Sequence, residues 1–368
     1  MAINFSTPII NIVSFILFIL ITALTFSKDN LSNNNKLYIY GLLFIFFLIS
    51  IYSLFSIEQF VTQSFEYLIK AYFFLITAIF IFFSYSKKEN FTYIRFILIY
   101  SFLITLLNVF NMIDYQGTST NYLVYSLLLG ISIIILWFDI LFKNISKHKK
   151  IFFMFLSLYF LSMNLMAGSR GTFIFTLIIL FIMFFIKIRT IKWYKFFIYI
   201  PILLFVIYFI SINILEHINI NSWFAYKMER LFLGDITEEP RYELYNNVFT
   251  YMADNASFFG FGFHGSRYIS TSWDPALPYL ESFPLEIIFN YGIFGLVIVL
   301  FITLFIFNYL NIDKFSYPET GKAFFIFLYV FLNFSKSWSL YNGFVIFPLI
   351  SIVLILYLKE KRKFKNEN

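Results

Sequence analysis

The chain has 368 residues, 60% of them hydrophobic and 24% aromatic, with only 13% charged, and its mean hydropathy is +0.80. A soluble domain of this length carries about a quarter charged residues. Here the apolar residues come in blocks of about 15 to 25, long enough to cross a hydrocarbon core, which excludes a water-soluble globule and implies a polytopic membrane protein embedded in a lipid bilayer. The net charge of +7 is not read as nucleic-acid affinity, because cytoplasmic loops of membrane proteins collect basic residues.

Cysteine is absent, and histidine occurs only at His148, His217 and His264. The first fact removes disulfides, thiolate catalysis and cysteine metal sites, and the second argues against a multi-histidine metal centre. No metal or other cofactor is expected. The stretch from Pro8 to Phe26 is too long for a cleavable signal and lacks a small-residue cleavage pattern, so it reads as the first span.

Eleven membrane spans are expected, at about 8–26, 37–55, 68–85, 96–112, 122–142, 151–166, 172–186, 196–214, 284–308, 323–340 and 344–358. The fold class is therefore an all-α helical bundle forming one integral membrane domain over 1–368. The tail containing Lys359, Lys361, Arg362, Lys363 and Lys365 belongs in the cytoplasm by the positive-inside rule. Alternation from that end puts 20 of the 27 basic residues on the cytoplasmic side and seven on the other, namely Lys70, Arg170, Lys227, Arg230, Arg241, Arg267 and Lys336. The N-terminus then lies outside the cytoplasm, as do the Ser169-Arg170-Gly171 turn and a large loop at 215–283.

That loop is too long for a simple connection, and loops of such size usually carry function or their own structure. Within it, Leu244, Val248 and Tyr251 recur at helical spacing, and Pro240 suits a helix start, where a missing amide costs nothing. The interval is acidic overall, with nine acidic and four basic residues over 216–283. Its arginines therefore read as specific sites rather than as a general phosphate-attracting field. No internal repeat of fixed period is present.

Several residues could carry chemistry. Arg170 stands at the edge of a span, where a charge is expensive and so is usually buried in protein or bound to a partner. Gly168 and Gly171 allow a close backbone turn, and Ser169 or Thr172 could cap the next helix, leaving an anion-friendly N-terminus. The plainer alternative is an arginine snorkelling to lipid headgroups. Arg241 lies beside Glu238, Glu239 and Glu243 and is equally compatible with a solvated i,i+3 pair. The run Phe259-Gly260-Phe261-Gly262-Phe263-His264-Gly265 neither follows a strand nor opens a Rossmann helix, so the dinucleotide reading fails. It reads as a tight aromatic turn with outward-facing amides, and His264 as either a titrating group or a plain loop residue. Glu281 and Glu286 flank Pro284 at the outer edge of a span. There a partly desolvated carboxylate can act as a general base, or simply point into water. Gly292 and Gly295 would permit close helix packing in lipid.

At these residues the chain resembles the superfamily of O-antigen polymerases and O-antigen ligases. Three matches carry the resemblance. They are the Ser169-Arg170-Gly171 turn opening a span, Arg241 about 20 residues before Gly260-Phe261-Gly262, and Glu281-Ser282 followed by Gly292-Ile293-Phe294-Gly295-Leu296. Together they cover about 130 residues, while the first half of the chain is similar only as a hydrophobic bundle. Ligases typically have His-Asn where this chain has Glu281-Ser282, which favours a polymerase.

The resemblance implies a metal-independent, inverting glycosyltransferase on the outer face of a bacterial inner membrane. Its donor and acceptor would be undecaprenyl-pyrophosphate-linked glycans of O-antigen or capsule type, with a chain-length regulator as a further partner. It implies catalytic roles for Glu281, Arg170 and Arg241, and substrate contacts from Arg267, His264, Gly260, Gly262 and Glu286. Trp223, Trp273 and the loop tyrosines would stack on sugar rings. The alternatives are a ligase moving finished polymer to a terminal acceptor, and a flippase for the same lipid-linked sugar. The flippase is disfavoured because the spans are almost free of charge and show no repeat symmetry.

Overall fold

The computed structural model describes residues 92–109, 122–167, 169–189, 240–255, 258–261, 265, 280, 282–310, 318–337 and 353. Seven long helices run through them: α1 Thr92–Val109, α2 Tyr122–Phe142, α3 Lys147–Met166, α4 Arg170–Arg189, α5 Pro240–Asp254, α6 Phe283–Leu310 and α7 Pro318–Ser337. No strand occurs among the described residues, so the all-α class holds. Six of the eleven expected spans fall on α1, α2, α3, α4, α6 and α7. The spans at 8–26, 37–55, 68–85, 196–214 and 344–358 lie outside the described residues, Val353 excepted. Among the described residues, three helices are long and apolar enough to cross a membrane, over Tyr125–Phe142, Lys147–Met166 and Phe283–Asn308.

The described helices divide between two compact units. In the first, α1 to α4 gather with most of α7. Helix α2 is its centre, with Leu129, Ile133, Ile134, Ile135, Leu136 and Phe138 wholly buried. An apolar helix buried on all sides belongs inside a bundle, since a peripheral one would keep an exposed face. Helix α3 is such a peripheral helix and exposes Ile151, Phe152, Met154, Phe155 and Leu158. Helices α1 and α2 are joined by a buried hydrogen bond between the Ser101 and Ser132 hydroxyls, 2.7 Å apart, and Trp137 of α2 meets Phe184 of α4 with ring centroids 5.1 Å apart.

Ionic residues close one end of this bundle. Lys322 of α7 lies 2.6 Å from Asp139 of α2 and 5.9 Å from the centroid of the Phe138 ring. Lys143, just past α2, pairs with Glu319 and stands 3.5 Å from Asp139. Burial pulls the Lys143 ammonium pKa down, but the Glu319 and Asp139 carboxylates outweigh it and hold it above the ordinary lysine value. Lys187, at the far end of α4, sits over the Phe142 ring at 5.8 Å. Lys143, Lys187 and Lys322 were all placed on one side by the alternation of spans, and they do meet at one end of the bundle. At the other end of α4, Gly171 packs against Lys336 of α7, two residues that the alternation also puts together.

The second unit holds most of α5 and α6. The expected loop helix is present as α5, beginning at Pro240. Leu244 and Val248 are fully buried in a small core with Leu280 and Phe289, against which Tyr245, Tyr251, Met252, Phe261 and Leu285 pack. Asn246, Asn247 and Thr250 occupy the exposed face of the same helix, giving the amphipathic division that a 3.6-residue period requires.

Candidate functional site

The first unit contains the Ser169-Arg170-Gly171 turn. Ser169 is buried and directly precedes α4, and its carbonyl accepts the Phe173 amide at 3.1 Å. That is the bond an N-cap carbonyl makes. The Thr172 hydroxyl does not cap the helix. It donates instead, lying 2.9 Å from the Ser169 carbonyl and 3.3 Å from Oδ1 of Asn164 on α3. Thr176 bonds back to the Thr172 carbonyl at 2.7 Å, and the Tyr329 hydroxyl of α7 approaches the same carbonyl at 3.4 Å.

Tyr329 reaches that position because α2 has Gly130 opposite it. A Cβ on Gly130 would come within 1.9 Å of the Tyr329 hydroxyl and 2.8 Å of the Thr176 hydroxyl. Asn333, one turn after Tyr329, bonds the Tyr329 carbonyl at 2.9 Å. Asn164, Thr172, Thr176, Tyr329 and Asn333 are all buried. They form a polar cluster beneath the first turn of α4, where unsatisfied groups would be costly. Arg170 is the first residue of α4, and its side chain lies outside the described ones. The chain at Arg170 is thus held from α2, α3 and α7, and the helix behind it offers an N-terminus that favours anions.

The other matched segments meet inside the second unit. In a continuous helix the Ile293 amide would bond the Phe289 carbonyl. Instead α6 breaks at Gly292, which has φ 53 and ψ −125, and the turn at 258–261 enters the gap. Ile293 donates to the Phe258 carbonyl at 3.0 Å, and the Phe289 carbonyl accepts from Phe261 at 3.1 Å. One helical bond is exchanged for two bonds to the turn, so neither backbone group is orphaned by the kink.

Glycine is required on both sides of this junction. A Cβ on Gly260, whose φ is 84, would lie 2.5 Å from the Asn290 carbonyl oxygen, and one on Gly292 would lie 2.3 Å from the Phe258 carbonyl oxygen. Phe261 and Phe289 stack across the junction with centroids 4.5 Å apart, and Tyr251 of α5 packs on both rings.

Two expectations change here. The Phe261 amide faces into α6 rather than outward, because the kink leaves a carbonyl that needs a donor. Among the described residues, no neighbouring helix enters at Gly292 or Gly295. Gly292 admits the turn, and a Cβ on Gly295 would sit 2.1 Å from the Ile287 carbonyl oxygen of the same helix. Eight residues along a straight helix would separate that pair by about 12 Å, so the kink itself brings them together.

Of the carboxylates at the start of α6, Glu286 is buried in the first turn, where helix amides favour a negative charge. Ser282 is buried just before it, and its carbonyl accepts the Glu286 amide at 2.9 Å. Glu281, Gly262, His264 and Arg267 lie outside the described residues, as does the side chain of Arg241, the second residue of α5. Sequence reasoning assigned no role to Asn164, Thr176, Tyr329 or Asn333. Their signal was polarity inside apolar segments, which in lipid points toward a bundle interior.

No curated protein and no solved structure matches the chain. Residues 152–300 match the protein family described as O-antigen ligase, a stretch that includes the Ser-Arg-Gly turn, α5, the 258–261 turn and the kink of α6. Over these residues the chain is similar to the O-antigen ligase and polymerase superfamily, whose members are glycosyl-transfer enzymes in general.

Proposed function

We propose that the protein polymerises lipid-linked oligosaccharide repeat units of O-antigen or capsule type on the extracytoplasmic face of a bacterial inner membrane. The observation that carries this reading is the Ser169-Arg170-Gly171 turn, an arginine at a helix N-terminus held by buried hydrogen bonds to Thr172. Such a construction suits an anion that must be bound in one fixed place, and the donor's leaving group is undecaprenyl pyrophosphate.

In the reaction, an acceptor hydroxyl oxygen attacks the anomeric carbon from the face opposite the pyrophosphate. The carbon–oxygen bond to pyrophosphate breaks, and its electron pair leaves on the phosphate oxygen. Arg170 and Arg241 stabilise that developing charge, with Arg267 assisting. Glu281 takes the acceptor proton, while Glu286, His264 and the Gly260–Gly262 segment contribute to substrate binding. The choice of polymerase rests on Glu281-Ser282 standing where ligases typically carry His-Asn. The family description favours a ligase as the second reading.

Cells carrying Arg170→Ala or Arg241→Ala are expected to insert the protein normally yet display only single-unit surface glycan, read on a glycan ladder gel. Wild-type chain lengths in both variants would overturn the proposal. Deletion separates the two readings: loss of a polymerase leaves no polymer, whereas loss of a ligase leaves polymer held on its lipid pyrophosphate carrier.

A further inference from the structure

The lipid-facing surface of α6 begins abruptly at its kink. None of residues 283–293 is exposed. From Phe294 onward a stripe of Phe294, Val297, Phe301 and Leu304 is open, each more than half exposed, at the three- and four-residue spacing of one helix face. The segment below the kink, residues 293–310, has 18 residues. That is about 27 Å of helix, close to the ~30 Å of a hydrocarbon core. That straight segment alone comes close to spanning the apolar layer, and Phe294, at its start, marks the upper margin of that layer.

The turn at 258–261 is fastened at that level by its two backbone bonds to Phe289 and Ile293. Its two leading side chains are not folded into the core. Phe258 is 67% exposed and Phe259 48%. The Phe259 ring stacks on Phe294 with centroids 5.9 Å apart, and Phe258 sets its edge on Phe259 at 5.1 Å. Three large exposed rings therefore form one patch continuous with the lipid-facing stripe. A contiguous apolar patch of this kind marks a surface that something covers, and continuity with a membrane helix identifies the cover as acyl chains.

We propose that Phe258 and Phe259 enter the lipid leaflet beside Phe294 and anchor the large loop to the bilayer. The loop is then a partly membrane-seated element at this turn. The inference does not depend on which glycosyl transfer the protein performs.

The absence of cysteine allows a direct test. Single variants Phe258→Cys, Phe259→Cys, Phe294→Cys and Asn247→Cys of the full chain are spin-labelled and reconstituted into phosphatidylcholine vesicles. Collision with oxygen is then compared with collision with a water-soluble nickel chelate. Labels at 258 and 259 are expected to favour oxygen several-fold over the chelate, as at 294, while the label at 247, on the polar face of α5, favours the chelate. Chelate accessibility at 258 and 259 equal to that at 247, or protection from both reagents, would overturn the proposal. If the cysteine variants do not reconstitute, Phe258→Trp is measured in vesicles of acyl-brominated lipid. Quenching of the added emission supports the anchor, and unquenched emission refutes it.

Discussion

Thr172 shows what a single hydroxyl does in this protein. It binds the Ser169 carbonyl and the Asn164 amide oxygen from inside a buried cluster, so its link to Arg170 runs through the backbone. Thr172→Val keeps the shape and removes the donor, leaving buried acceptors without it at a cost of about 1–3 kcal/mol. If the clamp sets the position of Arg170, this variant should lower kcat about tenfold per folded molecule, while Thr172→Ser stays near wild type. Single-turnover extension of lipid-linked units in detergent would show it. The effect should also shrink in an Arg170→Lys background, where there is less positioning to lose. Gly292 is as restrictive for a different reason. Gly292→Ala forces a side chain into a backbone conformation that costs about 1–3 kcal/mol and drives a Cβ into the Phe258 carbonyl. It should lower the thermal midpoint in detergent by several degrees, with Gly260→Ala doing the same.

At the scale of elements, α7 holds most of the expected span at 323–340 on a helix with charges in its first turns. These are Glu319 and Lys322, and the helix is not among those apolar enough to span by composition. Even so, every residue from Thr320 to Val330 is buried, because Lys322 finds Asp139 and the Phe138 face while Tyr329 fills the space above Gly130. Removing one partner of a buried pair strands the others, at about 3–5 kcal/mol. Lys322→Ala is therefore expected to destabilise by about 3 kcal/mol, near the lower end of that range because Lys143 stays beside Asp139. Thermal unfolding in detergent would measure it, and Lys322→Met with Asp139→Leu should recover part of the loss. In helix α5 the period of Leu244, Val248 and Tyr251 was plain in the sequence and is the face that packs on Phe289.

For the whole molecule the governing physics is that of the bilayer. The charge asymmetry predicts that Lys361 faces the cytoplasm and that Asn247 faces the opposite side. With no native cysteine to interfere, Asn247→Cys should react with a membrane-impermeant maleimide on intact spheroplasts, whereas Lys361→Cys should react only after lysis. The reverse pattern would invert the topology. Inside the first unit, Lys143, Lys187 and Lys322 gather at one end and Gly171 meets Lys336 at the other.

Composition and period alone determined the membrane class, the helical fold and the loop helix α5. Each of these depends on local patterns of apolar and basic residues, and the bilayer converts such patterns directly into structure. Only the tertiary structure decided what lies between the patterns. Phe258 and Phe261 take over the two backbone groups freed at Gly292, and Tyr329 crosses to the first turn of α4 through the notch at Gly130. Both arrangements join residues far apart in the chain through backbone groups and missing side chains, which leave no periodic trace in a sequence.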